Sequence, residues 1–270
     1  MKEGLLDGRI AYRHNEFAPH RETLVLVHGL TGSSSVWVPF ERKFTHTYNI
    51  LSFDLRGHGL SFKPRHYRDY ALAKFAYDLN ELVEYLDIKS FHLINHSFGT
   101  MVGLQYLHMY EHKVSTVVFL SPNYGIHQSL RAHIAQPFFM FMVRITTLFP
   151  FRAKPRGRVD YANFTKTGDF NIRRSILDLR NTTLRVYFYC LEHAYRFNRN
   201  VWWSKVVKPT LIIHGIHDKI ISYKNAVRMA KAMSHAKLVL LEESDHVMVI
   251  NDIAETEHIL EGFLADSRTT

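Results

Sequence analysis

The sequence predicts an α/β fold in which a mostly parallel β-sheet is flanked by helices. Short β-branched segments alternate with segments of helical periodicity, which is typical of a parallel sheet covered on both faces. The 270 residues are 46% hydrophobic and 22% charged, both ordinary values for a globular protein. The alternation stops between Pro122 and Lys208, so we expect one α/β domain with a helical insertion.

Individual strands and helices are predicted from hydrophobic periodicity in the two outer parts of the chain. Runs of apolar and β-branched residues predict strands at 23–27, 48–53, 91–94, 114–120, 210–213 and 238–241. Apolar residues at helical spacing predict helices at 71–86, 101–110, 222–233 and 253–264. We expect these helices to cover both faces of the sheet.

The segment between the two outer parts differs from them in composition. Residues 124–205 contain fourteen Lys/Arg and four Asp/Glu, a net charge of +10, whereas the remainder contains twenty and twenty-one, a net charge of −1. The segment is aromatic-rich, mostly helical in pattern and punctuated by three prolines. We therefore divide the chain into a core, 1–123 and 206–270, and a helical cap or lid, 124–205. The cap is expected over the carboxyl edge of the sheet, where such folds bind ligands.

Composition and charge exclude several classes of function. The excess of positive charge lies in the cap and no nucleic-acid-binding motif occurs, so we expect no nucleic-acid partner. The first residues lack the apolar region of a signal peptide. The longest apolar stretch, 138–151, is broken by Arg144 and is shorter than the roughly 20 residues of a membrane span. A single cysteine, Cys190, precludes an internal disulfide, and we expect a cytoplasmic protein.

The strongest local motif is Asn-His-Ser-Phe-Gly at 95–99, between a predicted strand and a predicted helix. A serine in such a sharp turn presents its hydroxyl above the sheet, and the backbone N–H of the next residue, Phe98, can hold an oxyanion. Small residues are needed two positions before and after Ser97. Gly99 meets that need, and Asn95 meets it incompletely. The alternative role for this serine is an ordinary helix N-cap.

Two glycine-containing loops follow the first two predicted strands. His-Gly-Leu-Thr-Gly at 28–32 lets the backbone turn over the sheet, so the N–H of Leu30 can be a second oxyanion donor. The alternative is a plain glycine-rich turn, and phosphate-loop motifs are missing from the sequence. The loop at 54–61, Asp-Leu-Arg-Gly-His-Gly-Leu-Ser, is assigned to loop bracing rather than to catalysis.

Two late loops supply an acid and a base. Asp218 ends the motif His-Gly-Ile-His-Asp at 214–218, which follows a predicted strand. A carboxylate at this position can hold a histidine in one tautomer. His246 follows the last predicted strand and can reach Ser97 from above. Asp245 is the alternative acid, but beside His246 on an extended loop it would point elsewhere. Serine, aspartate and histidine thus each follow a separate strand, in the order of one known hydrolase triad.

With these motifs in register, nearly the whole chain resembles the α/β-hydrolase family in its single-domain form with a cap. The resemblance is carried by HG-x-x-G, D-x-RGHG-x-S, x-x-S-x-G, the HG-x-x-D strand end and the late DH. It implies the α/β-hydrolase fold, with Ser97 as nucleophile, His246 as general base and Asp218 as the orienting acid. It further implies that Leu30 and Phe98 supply the oxyanion N–H groups.

The same resemblance narrows the chemistry. Asn95 stands where the family usually has glycine. A serine nucleophile disfavours epoxide hydrolases and haloalkane dehalogenases of this fold, which use an aspartate. The histidines lack metal-binding spacing, so we predict no metal site, and the mechanism requires no cofactor.

The cap is expected to select the substrate. Its apolar stretch indicates an acyl-binding wall, with Phe138, Phe141 and Met142 as substrate contacts; the alternative is packing on the core. We therefore predict a serine hydrolase of carboxylic esters with hydrophobic acyl chains, such as monoacylglycerols. The alternatives are a carbon–carbon bond hydrolase of vinylogous diketone acids and a catalytically silent binding protein.

The cap also carries basic residues at 152–158 and 173–174. They are compatible with a solvated face or with transient contact with an anionic membrane, and no partner protein is implied.

Overall fold

The structure is a computed structural model that describes residues 1–124, 130–197 and 203–268. Its strands are β1 (Lys2–Leu6), β2 (Ile10–His14), β3 (Thr23–Val27), β4 (Asn49–Phe53), β5 (Phe91–His96), β6 (Val114–Leu120), β7 (Thr210–Gly215) and β8 (Ala236–Leu241). Its α-helices are α1 (Val38–Phe44), α2 (Leu72–Tyr85), α3 (Phe98–Tyr110), α4 (Leu130–Thr147), α5 (Ile172–Thr182), α6 (Leu184–Arg196), α7 (Tyr223–Ala232), α8 (Met248–Asn251) and α9 (Ile253–Asp266).

The strands form one sheet in the spatial order β1-β2-β4-β3-β5-β6-β7-β8. From β4 to β8 every neighbouring pair is parallel, whereas β2 pairs antiparallel with both β1 and β4. The prediction of a mostly parallel sheet flanked by helices is therefore confirmed. Because the parallel strands run in one direction, the loops at their carboxyl ends meet at one edge of the sheet.

Each face of the sheet carries its own apolar layer, and β3 contributes to both. Val25 and Val27 pack in a cluster with apolar residues of α2, α3 and α7. Leu24 and Leu26 pack in a second cluster with residues of α1 and α9. Successive side chains of a strand point to opposite faces, so a strand buried on both sides is apolar at every position.

The N-terminal strands β1 and β2 form a hairpin that the periodicity did not predict. Its turn is Asp7-Gly8, and both residues have positive φ, 48° and 68°. Two successive residues of positive φ are what a tight type I′ hairpin turn requires, and an Asp-Gly pair supplies them at low cost. The hairpin extends the sheet beyond β4, at the edge opposite β8.

Helices α4, α5 and α6 occupy the described part of the segment between β6 and β7. Phe139 of α4 contacts Tyr195 of α6, with ring centroids 4.6 Å apart. Residues 125–129 and 198–202 of the predicted cap lie outside the described residues, and the division into core and cap stays a prediction. In the part of the chain that the structure covers, no helix has the length and apolarity needed to cross a membrane.

Candidate active site

Ser97 lies in a sharp turn between the end of β5 and the start of α3. Its backbone has φ 51° and ψ −114°, a conformation that non-glycine residues rarely adopt and that is often found at functional sites. The turn is tight because α3 approaches β3 closely. A Cβ atom on Gly99 would lie 2.6 Å from the carbonyl oxygen of Val27. Ser97 stands at the N-cap position of α3, but its side chain makes no capping hydrogen bond to the helix.

The serine hydroxyl is the first member of a hydrogen-bonded relay across three loops. Ser97 Oγ lies 2.8 Å from His246 Nε2, and His246 Nδ1 lies 2.7 Å from Asp218 Oδ2. Asp218 follows β7 and His246 follows β8, so the loops at the carboxyl edge bring the three residues together. With Nδ1–H donating to the carboxylate, Nε2 is free to accept the serine proton.

Asp218 is held as an anion. Burial alone would raise the pKa of its carboxyl group, but hydrogen bonds from His214 and His246 outweigh burial and hold the pKa well below its usual range. The backbone N–H groups of Ile220 and Ile221 donate to Oδ1 at 2.8 and 2.7 Å. With its negative charge fixed in place, this carboxylate can stabilise a protonated His246.

The main chain of His246 is fixed on both sides by side chains that the sequence interpretation did not select. His96 Nε2 donates to the His246 carbonyl at 3.0 Å, and burial lowers the pKa of His96 to about 3, so this ring is neutral. Asp169 Oδ1 accepts from the His246 N–H at 2.7 Å, and its Oδ2 accepts from the Lys219 N–H at 2.9 Å. The Asp169 carboxylate, which lies in the predicted cap, thus connects the loop that carries His246 to the loop that carries Asp218.

The two residues predicted to supply the oxyanion donors line the cavity that contains Ser97. Phe98 is the first residue of α3, and the first backbone N–H groups of a helix have no acceptor within it. Leu30 lies in the loop after β3, which His28 braces. His28 Nδ1 donates to the Gly29 carbonyl at 2.7 Å, and Nε2 accepts from the Leu55 N–H at 3.0 Å. The oxyanion role of these N–H groups stays a prediction.

The other acids that follow strands brace loops. Asp54 is fully buried and accepts from the Ser34 N–H at 2.7 Å and from Arg158 Nε at 2.9 Å. Asp245, the alternative partner for the histidine, accepts from the Val247 N–H at 2.9 Å. Among the residues that the structure describes, no cluster of three or more His, Cys, Asp or Glu could hold a metal ion.

Ser97 and His246 open into a cavity of about 470 Å³, within the usual range for small-molecule sites. Helices α5 and α6 supply an apolar wall, which consists of Leu179, Tyr187, Leu191, Ala194 and Tyr195. Tyr161 and Asp178 form a hydrogen-bonded polar pair in the same lining, in which the tyrosine hydroxyl donates to the carboxylate at 2.8 Å. Burial raises the pKa of Asp178 to about 6, although the Tyr161 hydrogen bond and Arg174 oppose the rise.

The predicted substrate contacts on α4 lie outside the described lining of the cavity that contains Ser97. Phe138, Phe141 and Met142 are absent from that lining, and the two phenylalanines are 55% and 57% exposed. On the same helix, Phe139 contacts aromatic rings of α6 and Val143 packs against the core. The apolar wall comes from α5 and α6 instead.

Asn95 fits beneath the turn because α3 has a glycine opposite it. The asparagine is fully buried, and its Nδ2 donates to the carbonyls of Leu93 and Val118 at 3.3 and 3.2 Å. A Cβ atom on Gly103 would lie 2.4 Å from Asn95 Oδ1. Asparagine is larger than the small residue expected at position 95, and the absence of a side chain at Gly103 makes room for it.

Because the Asn95 side chain occupies the space beside Gly103, the effect of Gly103→Ala on the free energy of unfolding should change sign when Asn95 is also replaced. Gly103→Ala alone is expected to destabilise the fold by about 1–3 kcal/mol through overpacking. In an Asn95→Gly background the same change should stabilise it by up to about 1 kcal/mol, because alanine is the better helix former. Urea unfolding of wild type, the two single variants and the double variant measures both effects. Equal effects of Gly103→Ala in the two backgrounds would contradict the proposed contact.

Comparison with known proteins agrees with this fold. The family model of the alpha/beta hydrolase fold matches residues 22–252, so the chain belongs to the α/β-hydrolase family. The resemblance inferred from the sequence motifs is therefore confirmed.

Individual relatives are distant in sequence, and their names describe different kinds of hydrolase. A Haemophilus influenzae protein named probable lysophospholipase L2 is 26% identical over 262 residues, covering 88% of this chain and 82% of that protein. A predicted carbamate hydrolase of Stutzerimonas stutzeri, RutD, is 26% identical over 267 residues, covering 94% and 95%. The solved structure of a thermophilic esterase from Thermogutta terrifontis superposes with a TM-score of 0.75 over 96% of this chain and 93% of that chain. At 17% identity, that likeness shows the fold alone.

Proposed function

We propose that this protein is a serine hydrolase that cleaves carboxylic esters with hydrophobic acyl chains. The observation that carries the proposal is the relay from Asp218 through His246 to Ser97, whose hydroxyl end opens into a largely apolar cavity. A nucleophile, a base that touches it and a third group that orients the base are the parts that acyl transfer needs. An intact relay also argues against the catalytically silent alternative.

The mechanism follows from these parts. His246 Nε2 accepts the Ser97 proton as Oγ attacks the acyl carbon, and Asp218 stabilises the resulting imidazolium. The backbone N–H groups of Leu30 and Phe98 hold the oxyanion of the tetrahedral intermediate, each contributing roughly 3–4 kcal/mol. The imidazolium then gives its proton to the leaving alcohol. A water activated by His246 hydrolyses the acyl-enzyme and regenerates the serine.

The cavity lining supports an acyl chain as the bound part of the substrate. The wall from α5 and α6 is apolar and can bury a chain, while the Tyr161 and Asp178 pair offers hydrogen-bonding groups to a polar alcohol part. This combination suits a monoacylglycerol-type ester. The carbon–carbon alternative needs cations for substrate carboxylates. Arg174 lines the cavity, but its Nη1 and Nη2 donate to the backbone carbonyls of Gly168 and Asp169.

The test is hydrolysis of p-nitrophenyl esters from acetate to palmitate, followed by a monoacylglycerol, with Ser97→Ala measured in parallel. We expect kcat/KM to rise with acyl length until the chain fills the cavity. Hydrolysis of a vinylogous diketone acid, with no turnover of any ester, would contradict the proposal and favour the carbon–carbon alternative.

A further inference from the structure

A second large groove lies on the predicted cap and is lined by five arginines. Its volume is about 870 Å³, and the cations are Arg152, Arg156, Arg158, Arg173 and Arg180. Asp160 is the one acid in the described lining, and its carboxylate accepts hydrogen bonds from the Ala162 N–H at 3.2 Å and from Asn163 Nδ2 at 3.0 Å. We call this feature the arginine groove.

Most of the positive charge in the arginine groove is not neutralised within the protein. Arg158 is paired, because its guanidinium bonds Asp54 at 2.9 Å and Glu3 at 2.8 Å. Arg156 Nη1 donates to the backbone carbonyl of Arg180 at 3.2 Å, a contact that orients it without cancelling its charge. Over the residues that the structure covers, the two contacts of Arg158 are the ion pairs that the groove arginines form. The other four guanidinium charges therefore remain available to an anion.

The groove is separate from the catalytic cavity because α5 lies between them. Arg173, Leu177 and Arg180 line the arginine groove. Asp178 and Leu179 of the same helix line the cavity that contains Ser97. An anion in the groove would thus contact neither the nucleophile nor the acyl wall.

We propose that the arginine groove binds the phosphate group of an anionic ligand. Several guanidinium groups facing one concavity suit phosphate, whose oxygens accept paired N–H donors in the planar geometry that arginine presents. The volume exceeds that of a single ion and leaves room for the group that carries the phosphate. This site goes beyond the proposed ester hydrolysis, and its occupancy does not depend on catalysis.

Two sources carry such a phosphate, a soluble ester and a lipid headgroup, and the surface beside the groove makes the lipid headgroup worth testing. Ile172 and Ile176 are 77% and 60% exposed, and helical spacing puts them beside Arg173 and Arg180 on the exposed side of α5. Exposed apolar side chains next to cations are the pattern of a surface that rests on an anionic membrane.

The test measures binding by the full chain to three probes. These are inorganic phosphate, vesicles of phosphatidylglycerol and phosphatidylcholine, and vesicles of phosphatidylcholine alone. The groove variant is Arg173→Gln/Arg180→Gln. The matched control is Arg42→Gln/Arg68→Gln, which removes the same charge from exposed positions elsewhere. Circular dichroism and thermal unfolding show whether each variant is folded.

We expect wild type and the control pair to bind inorganic phosphate alike, and the groove variant to bind it roughly ten- to a hundredfold more weakly. Parallel loss of anionic-vesicle binding, with little binding to phosphatidylcholine, would identify a lipid headgroup as the source; loss of phosphate binding alone would identify a soluble ester. Equal weakening in both variants would mean diffuse charge attraction, and would overturn the proposal. Failure of wild type to bind phosphate or anionic vesicles would overturn it as well.

Discussion

Ser97→Ala is expected to abolish ester hydrolysis and to leave the fold intact. The hydroxyl is the atom that would form the acyl-enzyme, so kcat should fall roughly 10⁶-fold, as in other serine triads whose nucleophile is removed. The fold should survive, because alanine keeps the Cβ atom and the serine hydroxyl contacts one group, His246 Nε2, in the described structure. Initial rates on a p-nitrophenyl ester and thermal unfolding measure the two effects.

Ser121 provides a matched control for this substitution. It is fully buried at the end of the neighbouring strand β6, has a similar positive φ of 45°, and is absent from the described cavity lining. Ser121→Ala should therefore keep nearly full activity. Turnover that persists in Ser97→Ala, or falls equally in both variants, would contradict the role assigned to Ser97.

Asp218→Asn should have the second-largest effect, a fall in kcat of about 10⁴-fold with little change in fold. The carboxylate accepts the proton of His246 Nδ1 at 2.7 Å, whereas an amide can donate to that nitrogen and favour the tautomer protonated on Nε2. A histidine in that tautomer cannot accept the Ser97 proton. Steady-state kinetics on a short soluble ester measure the loss.

Asp245→Asn is the control for this prediction, because Asp245 adjoins His246 in sequence. Its carboxylate accepts from the Val247 N–H and from the Asn251 side chain, both at 2.9 Å, rather than from the His246 ring. We expect a loss of kcat far smaller than that of Asp218→Asn. If Asp245→Asn were the more damaging variant, the assignment of the orienting acid would be wrong.

The central sheet was predictable because its buried strands consist mostly of apolar and β-branched residues. β3 and β6 have the predicted bounds, and the predicted helices appear within a few residues of their ends. The β1–β2 hairpin was missed because the outer strand is mostly exposed and has little apolar pattern. The Asp7-Gly8 pair was nevertheless a usable signal, since that dipeptide favours the hairpin turn that the structure contains.

The three relay residues were predictable because each follows its own strand in a recognisable order. Asp169 was not, because its contacts join positions 77 and 50 residues apart, and no local pattern reports such a pairing. That Phe138 and Phe141 lie outside the described cavity lining was unpredictable for a different reason. Helix α4 carries apolar residues all around, so periodicity cannot tell which of them faces the core.

The most direct test of the account is covalent labelling by a serine-directed fluorophosphonate, followed by mass spectrometry of the intact protein and its peptides. The relay makes Ser97 the activated hydroxyl among the described residues, so we predict a single adduct on the peptide that contains it. The adduct should be absent from Ser97→Ala and present in Ser121→Ala. Labelling at another residue, or no labelling of folded wild-type protein, would contradict the assignment of Ser97 as the nucleophile.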